Sequence, residues 1–288
     1  MVGQPTAHSI RRKKVDGIFR VLCFLCALTA VIFLVILLGT VLKDGAMRLR
    51  PDFFTKVMSR FPGRAGINTA LMGTIWVILL TAAISVPVGI AAAIYLEEFT
   101  KKSNRVMSII QLNIQNLAGV PSIVYGLLGL ALFVRTMALD RSVIAGALTM
   151  SLLILPTIIV VSQEAIRAIP SGLREGSLAL GATRWQTLKG QVLPNALPGI
   201  ITGIILSISR AAGESAPLIT IGAVTYIASA PTGLGDKFTV LPIQIFDWAG
   251  RPQKGFHENA AAAIICLLAV LLVLNGLAVY IRSRSEKK

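Results

Sequence analysis

The sequence predicts an all-α membrane protein with six transmembrane helices. Three observations carry that expectation. The 288-residue chain is 55% hydrophobic and only 14% charged, with a mean hydropathy of +0.75, against about 25% charged residues in a soluble domain. Six runs stay largely apolar over the roughly 20 residues that a helix needs to cross a hydrocarbon core; they lie at about 18–42, 68–96, 106–134, 141–162, 197–222 and 260–281. No stretch between them has the character of a separate soluble domain, and no internal repeat or low-complexity tract stands out.

Taken in order, residues 1–17 form a basic tail ahead of the first span. The run from Val21 to Leu42 is longer than a signal-peptide core of about 7–15 residues, and no A-x-A-like site lies near its end, so it reads as an uncleaved anchor. Cys23 and Cys26 in this run and Cys266 in the last read as small apolar side chains, since C-x-x-C on a membrane helix without a second pair does not make a metal site. Lys and Arg are biased toward one side: sixteen lie in the two tails, the loop after span two (including Lys101, Lys102 and Arg105) and the loop after span four, against eleven in the remaining loops. Both termini are therefore expected in the cytosol. This leaves a membrane domain over 18–281, a cytosolic segment at 163–195 and a C-terminal tail at 282–288.

The net charge of +15 does not indicate nucleic acid, because the basic residues flank apolar spans and no basic aromatic module accompanies them; they fit topology signals and contacts to lipid headgroups. The loop after span one runs against the bias, with Lys43, Arg48, Arg50, Lys56, Arg60 and Arg64 on the external side. A partly helical surface segment is the favoured explanation; attraction of an anion or an acidic partner is the alternative. The loop at about 223–259 is rich in Pro and Gly, and Leu241–Trp248 within it is expected as a short helix or as an interfacial segment anchored by Trp248.

Residues 163–195 carry Glu164, Arg167, Arg174, Glu175, Arg184 and Lys189 among Ala, Leu and Gly. Pro170 and Gly172 mark one break and Gly181 another, which predicts two short helices joined near Gly181, where a backbone without Cβ turns sharply. Such a segment suits either an amphipathic helix resting on lipid or a docking element for a cytosolic partner. The chain has no G-x-x-x-x-G-K-[ST] phosphate loop, no H-E-x-x-H and no G-x-S-x-G. Its histidines, His8 and His257, fall in a tail and a loop. No catalytic residues, metal or cofactor are expected, and energy from ATP would have to come through a separate chain.

Span five contains Arg210 and Glu214, which at i and i+4 would share a helix face. A charge near the bilayer centre costs about 2.5–3.5 kcal/mol on insertion scales, so such residues face a bundle interior or an aqueous path. A structural ion pair is one explanation; a role in the path of a transported ion is the favoured one. Gly199, Gly203, Ser207, Ala211 and Ser215 recur every four residues on the neighbouring strip, a pattern that permits close helix approach. A guanidinium in such a place matches the geometry of an oxyanion.

The spacing of Glu175, Gly181, Leu193 and Pro194 resembles the EAA loop of ABC importer permeases, which reads E-A-A, three residues, G, nine residues, I-x-L-P. Gly176 and Ser177 stand where the family has its alanines, and Gln191 where it has isoleucine. Three further stretches resemble the phosphate importer permeases of the PstA family: Ser209-Arg-Ala-Ala-Gly-Glu-Ser-Ala-Pro-Leu-Ile, the run from Gly119 to Phe133, and Leu241-Pro-Ile-Gln-Ile-Phe-Asp-Trp-Ala-Gly-Arg-Pro with the following Phe256-His. The resemblance implies a six-span permease of the type I importer (MetI-like) fold. It also implies a PstC-like second permease, two copies of a PstB-like ATPase docked on about 174–190, and a PstS-like binding protein delivering inorganic phosphate. Arg210 and Glu214 are the residues it implicates in phosphate passage. A permease for another oxyanion, molybdate or sulfate, and an ion-coupled carrier are the competing expectations.

Overall fold

The computed structural model describes residues 7–100, 105–223, 226–227 and 229–285; Lys101, Lys102, Lys287 and Lys288 lie outside them. Its helices in chain order are α1 (Ala7–Gly45), α2 (Pro51–Thr55), α3 (Asn68–Ile94), α4 (Arg105–Ala118), α5 (Ser122–Gly129), α6 (Val143–Arg167), α7 (Ser171–Ala179), α8 (Arg184–Thr187), α9 (Leu193–Gly213), α10 (Ala216–Thr220), α11 (Leu241–Ala249) and α12 (Lys254–Ser285). Wider π-turns extend α3 through Phe99 and α5 through Thr136, and another joins α8 to α9. Five segments are long and apolar enough to cross a membrane, and the bent pair α4–α5 makes a sixth.

α6 is the central span. It packs on α3 and α9, and 61% of its most apolar window is buried, against none of the corresponding window of α1. Ile154, Ile158, Ile166, Ile200 and Phe238 are among the side chains that close this core. α6 starts where it does because its orphan N–H groups find acceptors. Val143 and Ile144 donate to the carbonyls of Asp236 and Leu234, each at 3.0 Å, and Ala145 donates to Ser142 Oγ at 3.4 Å. The loop that supplies those carbonyls is itself tied by Asp236, whose Oδ2 accepts from Thr232 N, Thr232 Oγ1 and Gly233 N at 2.8, 3.0 and 2.9 Å.

Those donors, the Thr232 backbone N–H first, hold the Asp236 carboxyl below the usual carboxylate range. A carboxylate with a lowered folded pKa stabilises fully above its unfolded value and loses that contribution as pH falls through the folded one. Amide exchange at Thr232 and Gly233 is therefore expected to be slow at neutral pH and to lose protection on acidification. In Asp236→Asn that pH dependence is expected to vanish.

Two spans differ from the sequence expectation, and proline explains both. The third span is not one helix over 106–134: it bends by 103° between α4 and α5. Pro121 has no N–H and disfavours helical geometry at Val120, so Gly119 and Val120 close the end of α4 with short bonds to Asn116 and Leu117. The fifth span is not one helix over 197–222 either. α9 stops at Gly213, Glu214 is extended (φ −80°, ψ 128°) and a short α10 follows. A continuous helix would drive the Pro217 ring into the carbonyl of Gly213, four residues back.

The loops after spans one and five, with the start of α12, form a second apolar cluster that includes Phe53, Met58, Ile67, Leu241, Trp248, Phe256 and Ala262. Trp248 is buried there between Phe53 and Phe256, with ring centroids 6.1 and 6.4 Å away. It is a core residue rather than an interfacial anchor, because α11 folds inward onto α12.

Candidate functional site

The breaks in spans three and five meet. α5 packs on α10 so closely that a Cβ on Gly126 would stand 2.7 Å from Pro217 Cα. Irregular backbone at membrane depth is tolerated only where it is buried in protein or lines a watery cavity, so two adjacent breaks mark a place that is either closed by protein or lined by water. Arg210 is in the last turn of α9, beside them, and Glu214 is the first residue past its end. They do not share a helix face as expected from i, i+4 spacing. Their closest approach, Arg210 Nε to Glu214 Oε1, is 3.9 Å, a loose pair that leaves both groups free for other partners.

The two side chains also face different spaces. Arg210 lines a cavity with Leu117, Val120 and Tyr125 at the α4–α5 break, whereas Glu214 lines one with Thr74, Thr81 and Met150. Tyr125, buried, donates its hydroxyl to the carbonyl of Leu117 at 2.8 Å and so braces that break. Each cavity measures about 20 Å³, room for about one water molecule. The Arg210 side chain is 66% exposed and that of Glu214 24%. The small-residue stripe does what its spacing suggests: a Cβ on Gly203 would meet Val161 Cγ2 at 2.7 Å, and one on Gly199 would meet Ala165 Cβ at 3.0 Å. It seats α9 on α6 and turns the strip bearing Arg210 outward.

At the other end of α9, residues 163–167 complete α6, and α7, a turn at Gly181 and α8 follow before the π-turn into α9. Gly181 has φ +86°, a left-handed conformation that strains any residue with a Cβ. Thr183 opens α8 with a reciprocal cap: its Oγ1 accepts from Gln186 N at 3.3 Å, and its own N–H donates to Gln186 Oε1 at 2.8 Å. α8 then runs through the π-turn into α9, so the second helix of the segment is an extension of span five rather than a separate piece. Glu175 is exposed on α7, Pro194 is exposed at the start of α9, and Leu193 is half-buried against the core.

α7 is held by charges that sequence reasoning did not find. Arg174 donates from Nε to Glu98 Oε1 at 3.1 Å, and from its two terminal nitrogens to the carbonyls of Ile169 and Ile166 at 2.8 and 2.7 Å. Arg167 pairs with Glu97. Both glutamates lie on the π-turn that ends α3, so the segment is bolted to α3 as well as continuous with α9. Arg174→Ala is expected to release α7; trypsin should then cut after Arg184 and Lys189 several-fold faster, while Arg174→Lys recovers only part of the protection. Sequence reasoning also missed Leu180 and Trp185, 91% and 61% exposed on either side of the Gly181 turn. Together at one turn they make a candidate contact surface. Among the described residues no three His, Cys, Asp or Glu side chains converge as a metal set.

Residues 85–287 match the model of the family described as binding-protein-dependent transport system inner membrane component. The chain is 31% identical over 280 residues to the phosphate transport system permease protein PstA 1 of Mycobacterium tuberculosis, covering 95% of this chain and 90% of that one. It is 34% identical over 216 residues to the probable ABC transporter permease protein YqgI of Bacillus subtilis, covering 75% and 73%. Among solved structures, a bacterial ABC transporter involved in import of the acidic polysaccharide alginate superposes with a TM-score of 0.64 at 18% identity, over 95% of this chain and 99% of that one. That likeness speaks to the fold, a type I importer permease.

Proposed function

This chain belongs to the binding-protein-dependent transport system inner membrane component family, and we propose that it is the non-catalytic permease subunit of an ATP-driven phosphate importer, with both termini in the cytosol. The observation that carries this is the likeness to a phosphate transport permease along nearly the whole of both chains. The geometry supports it. Arg210 stands where two membrane spans break, most of its side chain is uncovered, and the cavity beside it is far too small for a phosphate ion. A guanidinium on a membrane helix needs protein or water against it. A second, PstC-like permease would supply the missing wall, and the path for inorganic phosphate would run between the two.

In this arrangement Arg210 meets the anion and Glu214, loosely paired with it, keeps the contact from becoming a trap. The apolar tips Leu180 and Trp185 with Glu175 and the Gly181 turn form the surface that a PstB-like ATPase dimer grips. Leu193 and Pro194, at the root of α9, carry the movement into the span that bears Arg210. A PstS-like protein delivers phosphate on the opposite face. Tagged chain purified from its native membrane is expected to bring down one further permease and an ATPase, and binding-protein-dependent uptake should be competed by phosphate but not by molybdate or sulfate. Isolation of the chain alone, or equal competition by the other oxyanions, would contradict this function.

A further inference from the structure

A polar space far larger than the cavity at Arg210 lies elsewhere. It is a groove of about 580 Å³ at the opposite end of α3 from Glu97 and Glu98, where the end of α1, the loop around α2 and the start of α12 converge. Two glycines allow the convergence. A Cβ on Gly45 would stand 2.7 Å from the backbone of Ala261 and Ala262, and one on Gly255 would stand 2.8 Å from Pro62.

Five cationic side chains line the groove, Lys43, Arg48, Arg50, Lys56 and Lys254, against the carboxylates of Asp44, Asp52 and Glu258. Two of the cations are neutralised in place: Arg48 by Glu258 at 2.9 Å and Lys56 by Asp52 at 2.8 Å. Lys43, Arg50 and Lys254 have no ion-pair partner among the described residues and keep the groove positive. A second, independent feature is Asn259, 1% exposed and lining the same space. Its Nδ2 donates to the carbonyl of Pro62 at 2.9 Å, which fixes the orientation of the amide, since that carbonyl only accepts. Its Oδ1 is buried with no partner, and a buried acceptor without a donor is costly.

We propose that this groove seats a phosphate group bearing or adjoining a hydroxyl, with Arg50, Lys43 and Lys254 against the anionic oxygens and Asn259 Oδ1 accepting from the hydroxyl. Hydrogen phosphate carries such a hydroxyl on phosphorus; a phosphatidylglycerol headgroup carries it on the glycerol. The groove lies at one end of the membrane spans, within reach of both. The site is distinct from Arg210 and stands whether or not the chain imports phosphate.

The full-length chain purified in neutral, lipid-free detergent is titrated with inorganic phosphate and with sulfate. The same protein is placed in phosphatidylcholine nanodiscs with and without phosphatidylglycerol, and retained lipid is measured. Saturable binding of phosphate, or selective retention of phosphatidylglycerol, is expected, weakened about tenfold or more in the Arg50→Gln/Lys254→Gln variant and kept in Arg50→Lys. The first result identifies free phosphate as the occupant and the second a lipid headgroup. If phosphate is the occupant, sulfate, which has no hydroxyl, is expected to bind about tenfold more weakly. Absence of both ligands from the wild type, equal binding by the double variant, or phosphate binding lost only in Arg210→Ala overturns the proposal, as does sulfate binding equal to phosphate.

Discussion

Phosphate uptake by Arg210→Ala is expected to fall to background while the protein still inserts and co-purifies with its partners. Removing a charge-assisted contact of about 3 kcal/mol lowers a rate by about a hundredfold, enough to hide transport in a cellular assay. Assembly should survive because Arg210 holds little in place: its ion pair with Glu214 is long and most of its side chain is uncovered. Arg210→Lys keeps the charge but loses the planar fork that matches phosphate, and intermediate uptake is expected. Glu214→Gln removes the counter-charge without removing the cation, so phosphate should bind more tightly and pass more slowly. Normal uptake by a stably inserted Arg210→Ala protein, measured with labelled phosphate, would remove Arg210 from the path.

Gly181→Val should weaken ATPase docking by about tenfold, measured as the amount of ATPase recovered with the purified chain. Nothing lies within 4 Å of where the new side chain would begin, so the effect is not a clash inside this chain. It comes from φ +86°, which costs a residue with a Cβ about 1–2 kcal/mol; the turn relaxes and moves Leu180 and Trp185 apart. Gly190 supplies the control. It also has open space around it, but it lies in helical backbone and has no positive φ, so Gly190→Ala should leave docking unchanged. Equal docking by both variants would mean that the ATPase does not read this turn.

The sequence was most informative where one residue decides the local conformation. Gly181 announced the turn between α7 and α8 because few other residues take that backbone angle. Six apolar stretches were countable because hydropathy needs no tertiary information. Hydropathy does not register direction, however, so the 103° bend at Gly119–Pro121 and the stop at Gly213 were absorbed into spans that read as continuous. The proline signals were present in both places and were outweighed by the length of the apolar runs. Arg174 and Glu98 are 76 residues apart, and Arg167 and Glu97 are 70; no local pattern could join them. The loop after span one carried its basic residues openly and does fold as short helical pieces, yet the groove exists only because α12 returns beside it.

In the proposed importer a motor outside the chain grips the Gly181 turn through Leu180, Trp185 and Glu175 and moves a path that does no chemistry itself. The most direct test is labelled-phosphate uptake into proteoliposomes holding this chain with its co-purified subunits, with binding protein inside or outside to match its face and ion gradients collapsed by ionophores. Uptake that continues with ATP and stops with a non-hydrolysable analogue is the expected result. Uptake that ignores ATP and follows an imposed ion gradient would contradict it.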